Sequence, residues 1–142
     1  MKLIRGVAAG VVWGIFGQVF GWLVYGVLFA AYWDETSSFW RPMESLYWKL
    51  GMPLTGIFSG LMVALAYAIL YKGIPGTGAK RGLVFGLILW FVARVPGELF
   101  WYVMSPVPFM LVIAGWLHGL IVGVLGGLAM GAIYGKSLEG QS

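Results

Sequence analysis

The sequence predicts an all-α integral membrane protein of four transmembrane helices, forming one transmembrane domain over residues 1–142. Three observations predict it. With 61% hydrophobic and 10% charged residues, the chain has too few polar groups to cover a water-soluble globule and needs a lipid bilayer around it. Four apolar stretches reach the length of about 20 residues that a hydrocarbon core about 30 Å thick requires at about 1.5 Å per residue. Lys and Arg gather on one side of these stretches, as retention of basic residues in the cytoplasm dictates.

The first span is expected at about 3–32. Lys2 and Arg5 resemble the basic start of a signal peptide, but the apolar run from Gly6 to Trp33 is far longer than a cleavable core of about 7–15 residues. The second span is expected at about 52–71, the third at about 82–104 and the fourth at about 107–134. Between the first two, Phe39, Trp40, Met43, Leu46, Tyr47 and Leu50 recur at helical spacing, with Pro42 suited to an early helical position. This predicts a short interfacial helix over about 39–50, whose Trp and Tyr also suit an aromatic anchoring belt.

Lys2, Arg5, Lys72, Lys80, Arg81 and Lys136 fall on one side of the spans, against Arg41 and Lys49 with Asp34, Glu35 and Glu44 on the other. Both termini are therefore expected in the cytoplasm, with the inner membrane as the location. The same basic residues could meet anionic headgroups, but topology accounts for them without a partner. The net charge of +4 sits at span ends, so no nucleic acid is expected as a partner.

Lipid gives helices no hydrophobic reason to associate, so small residues and polar bridges must hold them together. Gly115, Gly119, Gly123, Gly127, Gly131 and Gly135 recur every fourth residue in the fourth helix, a glycine zipper. Gly56, Gly60, Ala64 and Ala68 mark the second helix, and Gly6, Gly10, Gly14, Gly17 and Gly21 the first. Gly82, Gly86, Ala93 and Gly97 mark the third. Such ridges serve equally a tight bundle, a homo-oligomer or docking onto a larger membrane complex. An internal repeat is also legible: Arg5-Gly6 to Gly10 aligns with Arg81-Gly82 to Gly86, and Gly56, Gly60 align with Gly115, Gly119. Two parallel-repeat hairpins follow, related about the membrane normal, unless Gly-rich helices match by composition alone. The alignment pairs Gln18 with Arg94 and Ser59 with His118.

Arg94 lies about 13 residues, or roughly 20 Å, into the third span, where an unpaired charge costs about 3 kcal/mol, so it needs a partner. Glu98 is available one turn on, and Pro96 between them should disturb the helix. His118, the single histidine, lies at nearly the same depth, and Gln18 is similar. With Ser59 these residues form the expected ligand-binding cluster: Arg94, Glu98, His118, Gln18 and Ser59. A satisfied network that merely holds the bundle together is the other reading. A lone histidine could also be an axial ligand to a macrocycle, but no second ligand or motif names a cofactor. Without cysteine, thiolate metal sites are excluded. The loop from Gly73 to Arg81 lacks the Lys-Ser/Thr of a phosphate-binding loop, and no catalytic nucleophile is identifiable.

The run Gly21-Trp22-Leu23-Val24-Tyr25-Gly26-Val27-Leu28-Phe29, with Gly82 to Val95 and the Gly-rich helix around His118, resembles an uncharacterised family of four-helix bacterial membrane proteins. The resemblance implies the architecture and an inner-membrane location; it implies no activity. The expectation is a polar intramembrane pocket that binds or passes a small polar or amphipathic molecule. The alternative is an accessory subunit docking through its glycine faces.

Overall fold

The computed structural model describes residues 2–139, with the backbone alone at Ser137, and every regular element in that range is helical. The outermost terminal residues, on which the placement of both ends in part rests, lie outside the described residues. Four helices are long and apolar enough to cross a membrane: the first at Lys2–Leu28, the second at Leu46–Gly73, the third at Gly78–Met104 and the fourth at Phe109–Gly135.

The connection between the first two helices departs from expectation. The first helix widens into a π turn at Val24–Leu28, stops at Phe29 and resumes as a short helix over Ala30–Glu35, so no single rod runs to Tyr32. The separate interfacial helix expected over 39–50 does not form. Ser37–Phe39 make one 3₁₀ turn, and irregular chain follows through Pro42. Ser45 then caps a new helix, its hydroxyl accepting the Trp48 N–H at 3.3 Å, and Leu46 to Leu50 become the start of the second span. Helical spacing was present in this segment, but the cap assigned its second half to the longer helix.

The first helix packs on the second and on the fourth, and the fourth packs on the third. Glycines set the closest approaches. A Cβ added to Gly14 would lie 2.5 Å from the Gly56 carbonyl oxygen, and one on Gly10 would lie 2.9 Å from that of Gly60. Across the other hairpin, a Cβ on Gly123 would meet the Gly86 oxygen at 2.8 Å and one on Gly127 the Gly82 oxygen at 2.5 Å. No side chain fits there, so these helices touch backbone to backbone. Gly126, off the ridge, makes room for the Trp13 ring of the first helix.

Of the most apolar window in each helix, 39% is buried in the fourth and 17% in the third, which makes the fourth the central element. The apolar core lies toward the end holding the chain termini, where Ala9, Trp13, Tyr67, Phe85, Val122 and Met130 pack together. The second and third helices meet there through Tyr67 against Phe85, and Arg81 lies 4.2 Å over the Tyr71 ring. Outward faces carry exposed Trp22, Phe91, Phe100 and Val103, apolar surface of the kind a lipid phase or a partner helix covers.

Both hairpins repeat one set of contacts, in a register different from the sequence alignment. Gly14 meets Gly56 as Trp90 meets Gly119, and Gly10 meets Gly60 as Gly86 meets Gly123. Gln18 lies against Gly56 and donates to the Met52 carbonyl; Arg94 lies against Gly119 and donates to the Gly115 carbonyl. Gln18 and Arg94 thus make like contacts, each with one glycine and one carbonyl of the helix it packs on. By these contacts, however, the counterpart of Gly60 is Gly123, one turn beyond Gly119, and Ser59 does not correspond to His118.

Candidate functional site

The third helix opens into a π turn at Trp90–Arg94, directly ahead of Pro96. Proline has no N–H to return to the Val92 carbonyl, and the irregularity expected there takes the form of this wider turn, in which the Val95 N–H reaches the Trp90 carbonyl. The turn delivers Arg94 to the fourth helix. Its stem fills the gap over Gly119, where a Cβ would lie 2.5 Å from Arg94 Cγ.

Arg94 Nε donates to the Gly115 carbonyl at 3.2 Å. Its Nη2 pairs with Glu98 Oε1 at 2.9 Å, donates to the Tyr25 hydroxyl at 3.1 Å and faces His118 Nδ1 at 3.4 Å. Glu98 occupies the gap over Gly115, against which its carboxyl is pressed. The Glu98 side chain is 8% exposed and that of Arg94 38%, so the acid is enclosed while the base stays partly open. These contacts occupy Nε and Nη2.

His118 Nε2 lies 2.9 Å from the Gly17 carbonyl oxygen. A carbonyl only accepts, so Nε2 carries the proton and Nδ1 turns its lone pair to the guanidinium, which fits the neutral imidazole. The Tyr25 ring meets His118 edge to face at 5.7 Å. Two indoles bracket the cluster across the same helix pair: Trp90 Nε1 donates to the Trp116 carbonyl at 2.9 Å, and Trp116 Nε1 to the Val95 carbonyl at 3.2 Å. Both groups that give Arg94 its reach, Arg94 itself and Tyr25, stand in π turns.

Arg94, Glu98 and His118 come together as the sequence led us to expect. Gln18 and Ser59 do not join them. Gln18 follows Gly14 by four residues and shares its face toward the second helix, where its Nε2 donates to the Met52 carbonyl at 2.9 Å. Ser59 precedes Gly60, which faces the first helix, and the helical step of about 100° turns the serine to the exposed outer surface. Tyr25 takes the vacant role. Its signal was in the sequence: the four-residue step Gly17, Gly21 continues to Tyr25, and that face meets His118.

Among the described residues, no three His, Cys, Asp or Glu side chains gather as a metal site. Two hollows lie at the end away from the termini. One, about 630 Å³ and widely open, is lined by Glu35, Thr36, Tyr102 and the turn at Ser105–Pro108; the other, about 260 Å³, is lined by Trp33, Asp34, Trp40, Arg41 and Trp48 among others. In comparison with known proteins, the chain matches no family model, no curated protein and no solved structure.

Proposed function

We propose that this chain is a multi-pass protein of the bacterial inner membrane, with both termini in the cytoplasm, whose Arg94 site binds or passes a small polar or amphipathic molecule bearing an anionic group. The observation that carries the reading is the asymmetry of the ion pair. A network built purely as internal glue gains by closing over both charges, whereas here the acid is enclosed and the arginine stays 38% exposed after its bonds to Glu98, Tyr25 and Gly115. Its Nη1 edge is free of those contacts and suits an incoming carboxylate or phosphate. The basic residues around the termini and the connection after the second helix support the topology. The corresponding contacts of the two hairpins support descent from a duplicated hairpin in which Gln18 and Arg94 are equivalent. The first hairpin has a neutral bridge at Gln18, whereas Arg94 in the second has Glu98 on its own helix, Tyr25 on the first and His118 on the fourth.

The test is native mass spectrometry from a mild detergent. A retained small molecule should be present in the parent and absent from the double variant Arg94→Met/Glu98→Gln, with that variant still folded. Equal retention by both would refute the site.

A second reading has its own observation. Gly97 has nothing within 4 Å of an added Cβ, and Ala93 and Pro96 beside it are exposed, a smooth strip on the third helix suited to another helix. On this reading the chain is an accessory subunit of a larger membrane complex, or a homo-oligomer, and purifies with a stoichiometric partner that Gly97→Leu releases.

A further inference from the structure

The smaller hollow at the end away from the termini holds an unusual combination of groups. Three indoles line it together with Asp34 and Arg41. Trp33 and Trp40 stack in parallel with centroids 4.5 Å apart, and Trp48 stands edge-on to Trp33 at 6.3 Å. Trp40 is held further by its Nε1 bond to the Thr36 hydroxyl at 3.0 Å and by Trp101 at 5.4 Å. The Arg41 guanidinium rests 4.8 Å from the Tyr47 ring centroid. The aromatic walls are thus fixed in place before any ligand arrives, which spares the cost of ordering them on binding.

Charge gives the second half of the argument. No ion pair joins Asp34 to Arg41, so the two line one hollow without neutralising each other. Indole faces and a carboxylate attract a cation, and a guanidinium attracts an anion. A ligand that satisfies both carries both charges. The rest of the lining is Ser37 with indole, Pro42 and Met43, so beyond the Asp34 carboxylate and the Ser37 hydroxyl its side chains offer no acceptor to the three N–H groups of a primary ammonium. A quaternary ammonium has no N–H to satisfy and presents a broad methylated surface to the rings. A hollow of about 260 Å³ holds a head of that size and little more.

We infer that the hollow formed by Trp33, Trp40 and Trp48 with Asp34 and Arg41 is a binding site for a zwitterionic quaternary-ammonium phosphate, the chemistry of a phosphocholine head. That chemistry can arrive as a lipid headgroup or as a free solute. The site is separate from Arg94 and stands or falls independently of the reading given to it.

The full chain in a maltoside detergent, free of choline groups, is titrated with phosphocholine, and binding is followed by saturation transfer to the N-methyl protons. Phosphocholine should bind about tenfold more tightly than phosphoethanolamine or inorganic phosphate. Trp48→Leu and Asp34→Asn should each weaken phosphocholine and choline alike by about tenfold, with the melting temperature unchanged. Arg41→Gln should weaken phosphocholine and leave choline unaffected. Trp48→Phe should restore much of the affinity, which separates loss of the aromatic face from loss of fold. Absence of binding, equal binding of phosphoethanolamine, or an undiminished response in Trp48→Leu would overturn the inference. Two further arms identify the source: capture from vesicles of phosphatidylcholine but not of phosphatidylglycerol marks a headgroup site, and saturation by free phosphocholine without vesicle capture marks a solute site.

Discussion

Arg94 and Gln18 make the same two contacts, a glycine beneath the stem and a carbonyl one turn earlier on the partner helix, yet only Arg94 carries a charge to be answered. Glu98, Tyr25 and His118 are that answer. Arg94→Met should therefore leave Glu98 an enclosed, unpaired acid and destabilise the protein by about 3 kcal/mol or more, whereas Arg94→Met with Glu98→Gln should recover most of the loss. Thermal denaturation in detergent measures both, and a double variant no more stable than the single one would show that Glu98 is not the principal partner. Gly115→Ala tests the fit beneath the acid. A methyl there would occupy the space of the Glu98 carboxyl, so the pair must separate or the third helix must retreat. The expected result is a loss of stability on the scale of overpacking, about 1–3 kcal/mol, that is absent in an Arg94→Met/Glu98→Ala background.

Among the helices, the fourth is defined by its two glycine registers. The four-residue ridge faces the third helix, and Gly126 faces Trp13 of the first. Gly123→Leu should separate the third and fourth helices, since even one carbon at that position meets the Gly86 carbonyl oxygen at 2.8 Å. An unchanged melting temperature would be incompatible with this contact. The ridge was legible in the sequence because four-residue spacing of glycine has few other uses in an apolar helix. Which helix it faced was not, since the first, second and third all carry small residues. Arg94, Glu98 and His118 were legible because ionisable groups are conspicuous in an apolar chain. Ser59 was misplaced because depth along a span is readable without knowing the helix's rotation, and rotation is fixed by Gly60 against Gly10. Tyr25 was overlooked because a tyrosine near a span end reads first as a membrane anchor.

At the scale of the whole molecule, the connection after the second helix and the one after the first lie at opposite ends of the bundle. A cysteine placed at Gly76 should be labelled by an impermeant reagent only from the cytoplasmic side, and one at Ser37 only from the other. Labelling of both from one side would exclude four crossings. The described residues near the two chain ends already share an end: a Cβ on Gly6 would meet the Tyr134 ring at 3.0 Å, and the Gly78 N–H donates to Glu139 at 2.8 Å.

Two of the groups that hold Arg94, the Gly115 carbonyl and His118, belong to the fourth helix. The third helix emerges from the ribosome ahead of the fourth, which follows it after a four-residue turn. For that interval the guanidinium has Glu98 within its own segment and Tyr25 from the first helix as its support. The i, i+4 carboxylate therefore acts as a companion for delivery as well as a partner in the finished protein. In chains truncated before Phe109 and fused there to a glycosylation reporter, Glu98→Gln should reduce integration of the third segment. The same change in a chain that already carries Arg94→Met should raise integration, since the carboxylate there has no charge to answer.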